Sequence, residues 1–60
     1  MMNTYERARL RLGVMLDELR VNIDDVHTSL DLDFDGEQEG YRVRVVRKED
    51  GQILAREFVA

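Results

Sequence analysis

Sixty residues, 43% hydrophobic and 37% charged with no proline, describe one small soluble globular domain and exclude a disordered or membrane-embedded chain. With no cysteine and a single histidine, neither a disulfide nor the usual four-ligand zinc site can staple so thin a core, which leaves association with another chain. The net charge of −4 is unevenly spread: residues 1–21 carry +1, residues 22–40 carry −7 and residues 41–60 carry +2.

In chain order, the first element is a helix from Thr4 to Val21. Asn3 is placed to cap it with Glu6 three residues on, and Asn22 to end it in a left-handed turn. Tyr5, Ala8, Leu12, Met15, Leu16 and Leu19 recur by threes and fours and form the core face. Leu10, Val14 and Val21 gather on the opposite side, about 180° away at about 100° per residue. That second stripe is a homodimer interface, a docking site for a larger protein, or idle surface, since single exposed apolar residues are ordinary. Gly13, mid-helix, costs about 1 kcal/mol relative to Ala and is either room for another backbone to approach or a neutral imperfection.

Residues 22–29 read as a connector with at most one helical turn. From Leu30 the chain alternates, with Leu30, Leu32 and Phe34 to one side and Asp31, Asp33 and Asp35 to the other. A glycine-bracketed turn, Gly36 to Gly40, leads into a strand from Tyr41 to Arg47 with Tyr41, Val43 and Val45 on one face. Lys48-Glu49-Asp50-Gly51 is the next turn, and the last strand runs from Gln52 to about Val59. A regular register sets Val45 against Leu54, Val43 against Arg56 and Tyr41 against Phe58 on the inner face. On the outer face it pairs Arg42 with Glu57 and Val46 with Ile53, and brings Asp33 and Asp35 beside Arg42 and Arg44. The expected fold is α+β: one helix on a three-stranded antiparallel meander, α-β-β-β, in a single domain.

Several chemistries fail on their residues. Arg7, Arg9, Arg11 and Arg20 point at scattered angles, so no basic stripe meets nucleic acid. No run approaches the ~18 apolar residues of a membrane span, and no secretory h-region opens the chain, so a cytoplasmic location is expected. Asp31-Leu32-Asp33-Phe34-Asp35-Gly36 copies the first six positions of a calcium-binding EF-hand loop. The twelfth position, where a bidentate Glu belongs, is Arg42, and a regular strand spreads alternate carboxylates nearly 7 Å apart, at about 3.4 Å per residue. Calcium is therefore not expected. His27 has Thr28 and Ser29 beside it in sequence but no identifiable third group, so neither a catalytic set nor a cofactor is expected.

Leu30-x-x-x-Phe34, the acidic turn closing at Gly40, Val43-x-Val45-Val46 and Asp50-Gly51-x-Ile53-Leu54 together resemble the C-terminal part of the flagellar FlaG family, as does a helix preceding them. The family's Ile-Arg-Gln-Ile-Pro stretch is replaced here by Leu54-Ala55-Arg56-Glu57-Phe58, each turn is a residue shorter, and the long polar N-terminal tail is missing. The resemblance implies a cytoplasmic, non-enzymatic modulator of flagellar filament growth. The residues themselves point to a non-enzymatic protein-interaction module, self-associating as a dimer through the Leu10, Val14 and Val21 stripe.

Overall fold

Helix α1 runs over Thr4–Leu19, and its first turn is set by Asn3, whose side chain accepts the Glu6 N–H at 2.9 Å. A computed structural model, describing residues 1–60, places after it a single 3₁₀ turn (Ile23–Asp25) and strands β1 (Val26–Asp35), β2 (Gln38–Arg47) and β3 (Ile53–Val59). The strands form one antiparallel sheet in the order β1-β2-β3, so the fold is α-β-β-β, as the alternation and periodicity require.

The helix stops two residues before the expected Val21. Arg20 adopts the left-handed conformation (φ 55°) and donates its N–H to the Leu16 and Asp17 carbonyls. Asn22 caps the 3₁₀ turn instead, accepting the Asp24 N–H at 3.0 Å. A non-glycine residue at positive φ is unfavourable, and what it achieves here is a reversal that folds Val21 back onto the core. Val21 therefore leaves the second stripe, and only Leu10 and Val14 remain on the outer side of α1.

Strand β1 begins four residues before the expected Leu30. Val26 is buried, and β1 pairs with β2 over ten residues, from Val26 with Arg47 to Asp35 with Gln38. The polar run His27-Thr28-Ser29 hides this extension, because cross-strand pairing rather than alternation holds it. The turn to β2 is only Gly36-Glu37, with Gly36 at φ 65° in the first central position, the pattern of a type II′ hairpin. Gly40, expected in the turn, lies inside β2 and is buried.

The β2–β3 ladder departs from the regular register. Val46 faces Ile53 as expected, but Val45 faces Ala55, so a bulge at Leu54 shifts everything beyond it by one residue. Val43 then meets Glu57, Arg42 meets Phe58 and Tyr41 meets Val59. The regular register would have driven Arg56 and Phe58 under the helix, whereas the bulge puts Ala55 and Val59 there and sends Arg56 and Phe58 to the open face. Small side chains let α1 approach, and the one charged residue that β3 leaves on the inner side, Glu57, accepts a hydrogen bond from Arg11 of α1. The expected Arg42–Glu57 pair is thereby replaced by Arg11–Glu57 and by Arg42–Asp33 at 3.3 Å.

The turn before the bulge is pinned by Asp50. Its carboxylate accepts from Arg47 Nε at 3.0 Å and from the second guanidinium nitrogen at 2.8 Å, and takes the Gln52 N–H at 3.1 Å. Gly51 closes the turn at φ 73°.

Ala8 and Met15 of α1, Val26 of β1 and Val43 and Val45 of β2 form the buried core, with Leu12, Leu16, Leu19, Leu30 and Leu54 packed half-buried around it. The helix lies across β2 and β3 and leaves β1 to one side. As a result Leu32 and Phe34, expected in the core, are 59% and 57% exposed although they face the helix side.

A Cβ on Gly40 would overlap the Val59 carbonyl and come within 2.7 Å of Phe58 Cζ. Gly40→Ala should therefore destabilise by about 1–3 kcal/mol, the usual cost of overpacking, read as a lower urea midpoint with β3 loosened at its end. Hydrogen bonds from the Arg47 guanidinium first, and from the Gln52 N–H second, hold the Asp50 carboxyl at about 2, below its ordinary 3.8. The stability this contributes is present above about pH 4 and is lost as pH falls through about 2. Asp50→Asn should be less stable than the native chain at pH 7, and the gap should close in acid.

Candidate functional site

Two surfaces of the sheet carry exposed residues, and the helix covers neither. The outer face carries Asp31 and Asp33 from β1, Arg42 and Arg44 from β2, and Arg56 from β3, around a shallow concavity lined by these five charges and no apolar side chain. Twist makes the ion pairs diagonal, Arg42 with Asp33 and Arg44 with Asp31 at 3.5 Å, rather than between the directly opposed Asp31 and Arg42. Asp35, expected beside an arginine, makes no ion pair. Arg42 also stacks on Phe58, its Cζ 5.0 Å from the ring centroid. Arg56 stands opposite Arg44 and has no carboxylate partner. Both aspartates are thus engaged laterally by arginines, and the three of the EF-hand-like run lie along one face of a regular strand instead of wrapping an ion.

The second surface is the open side of β1. Lys48 N–H donates to the Asp25 carbonyl at 3.0 Å, which makes that rung a hydrogen-bonded pair and sets the alternation along the ladder. Odd-numbered residues of β1 then bond to β2, and even-numbered ones turn their backbone groups to the open edge. Val26 N–H is used by the 3₁₀ turn, donating to the Ile23 carbonyl. Phe34 N–H is taken by the carboxylate of its neighbour, donating to Asp33 Oδ1 at 2.8 Å. That bond first, and Arg42 second, hold the Asp33 carboxyl below its usual range. Thr28, Leu30 and Leu32 keep both backbone groups free toward the edge. The side chains of Leu30, Leu32 and Phe34 make an apolar strip beside α1, continued by Tyr41 and by Tyr5, whose rings meet edge-to-face at 5.4 Å.

The sequence-derived stripe is dispersed: Leu10 (59% exposed) and Val14 (42%) face away from the sheet, and Val21 packs on the core. His27 is exposed on the outer face of β1, with Ser29 on the same face and Thr28 on the other. The β1 strip went unseen in the sequence because Leu32 and Phe34 carry the same alternation as buried strand residues; the one available signal was three strands offered to a single helix. No helix is long and apolar enough to cross a membrane. Comparison with protein-family models, curated proteins and solved structures finds no match.

Millimolar calcium should change neither the melting temperature nor the amide spectra of Asp31 to Gly36. A ligand specific to the native state stabilises it by RT ln(1 + [L]/Kd) and so raises the melting temperature once its concentration exceeds Kd; a rise of several degrees with shifts confined to this run would overturn the reading of the acidic face as ion-paired surface.

Proposed function

We propose that this protein is a small non-enzymatic interaction module that works by self-association, with the β1 side of the sheet as its contact surface. The observation that carries the proposal is the exposure of Leu32 and Phe34 on the helix side of the sheet, next to the free edge of a ten-residue strand. An open strand edge recruits a further strand where the side chains alongside permit it, and a core of five buried residues gives a chain of this size a reason to need one. The non-enzymatic part is supported by the charges of the outer concavity, which are largely spent on one another, and by a histidine with no third group to orient it.

Leu10 and Val14 are the competing surface, and mutation separates the two. At tens of micromolar, sedimentation should give a dimer of the 7.1 kDa chain. Leu32→Glu with Phe34→Glu should yield a folded monomer with helix and sheet retained by circular dichroism. Leu10→Glu with Val14→Glu should leave the dimer intact. A native chain that sediments as a monomer even at hundreds of micromolar overturns the self-association, and a dimer broken only by the helix variant moves the interface to α1.

A further inference from the structure

We infer that two copies join through their β1 edges, antiparallel about a two-fold axis through the Leu30–Leu30 pair, into one continuous six-stranded sheet. This rests on the self-association proposed above and adds the occupant, the register and the symmetry.

The register follows from geometry and charge. A two-fold axis that relates adjacent antiparallel strands stands perpendicular to the sheet and pairs one residue with its own copy, so both helices lie on the same side. The free backbone groups belong to Thr28, Leu30 and Leu32, and these are centred on Leu30. Self-pairing at Leu30 bonds Leu30 to the partner's Leu30 and Thr28 to the partner's Leu32. It also sets Phe34 against the partner's Val26, whose carbonyl faces the same edge.

On the outer face the same register sets Asp33 against the partner's His27 and Asp31 against the partner's Ser29. These are non-hydrogen-bonded rungs, in which side chains stand closest. Phe34 N–H moves from Asp33 Oδ1 to the partner's Val26 carbonyl, which leaves Oδ1 free to accept from the partner's His27 while Oδ2 keeps Arg42. The two Asp31 carboxylates meet only diagonally, each already holding its own Arg44.

Neighbouring registers fail on the same charges. Self-pairing at Asp31 opposes that carboxylate to its own copy, and self-pairing at Leu32 opposes Asp31 to the partner's Asp33 twice. Self-pairing at Ser29 sets Asp33 against the partner's Asp25. The acidic row thus disfavours slipped registers and strands with carboxylates opposite it, and admits a second copy in the Leu30 alignment. The other edge, β3, is less suited, because the Leu54 bulge interrupts it.

Hydrogen exchange on the native chain tests the edge without any mutation. In a sample concentrated enough to sediment as a dimer, the amides of Thr28, Leu30 and Leu32 should exchange about tenfold or more slowly than in a dilute monomeric one. Cysteine placement tests the register, since the chain has no cysteine of its own. In the Leu30 register, residue 30 lies about 5.5 Å from its copy, within disulfide reach. Leu30→Cys should oxidise to a linked dimer, Leu32→Cys alone should not, and a mixture of Thr28→Cys with Leu32→Cys should. A dimer whose three edge amides exchange as fast as in the monomer overturns the edge pairing while leaving self-association standing. Efficient linking of Leu32→Cys to itself overturns the register, and a chain monomeric at every concentration overturns both.

Discussion

One helix with its side chains is about 10–12 Å across, and three strands spaced about 4.8 Å apart present a wider face than that. A single α1 therefore cannot cover β1, β2 and β3 together, and where it settles decides which apolar residues become core. It settles on β2 and β3, where Ala8 and Met15 meet Val43 and Val45 and where Arg11 reaches Glu57. The uncovered remainder is the inner side of β1 beyond Leu30. Leu32 and Phe34 are exposed as a consequence of width, not of a weak hydrophobic pattern.

The Leu54 bulge makes that placement possible. Without it, Arg56 would stand opposite Val43 beneath the helix, and burying an unpartnered guanidinium is costly. With it, Ala55 and Val59 line the approach and Arg56 reaches solvent. Glu57 takes the inward position that Arg56 vacates, half-buried and hydrogen-bonded to the helix that covers it. The bulge also turns Phe58 outward, where its ring packs over Gly40 and under Arg42. A ring beside a strand glycine covers the backbone that the glycine leaves bare, and here the Val59 carbonyl first and the Phe58 ring second leave no room for a side chain at position 40.

In the proposed pairing, charge acts as a selector more than as a binder. Residues 22–40 have no lysine or arginine, yet Asp31 and Asp33 are paired by arginines from β2, so opposite charges meet across β1 and β2 while Arg56 of β3 stands against Arg44. Exposed pairs of this kind contribute little stability, roughly 0–1 kcal/mol each. Their larger effect is on what can lie alongside β1, because like charges directly opposite in a ladder are unfavourable. A regular strand bearing three outward carboxylates discourages most neighbours, which is a common way to keep an open edge from aggregating.

Much of the fold was legible along the chain. The spacing of Ala8, Leu12, Met15 and Leu19, the cap at Asn3, the alternation from Leu30 to Asp35 and the Val43 and Val45 core positions all follow from local periodicity and turn chemistry. The α-β-β-β order and the Val46–Ile53 contact follow with them. Periodicity assigns a residue to a face but not to a neighbour, and there the sequence stopped. The left-handed Arg20 that returns Val21 to the core, the early start of β1 at Val26, the one-residue slip at Leu54 and the exposure of Leu32 and Phe34 each depend on which strand or helix lies alongside. Those were decided by tertiary structure, because the balance between burying Arg56 and bulging β3, or between covering β1 and covering β3, exists only once the elements are packed against one another.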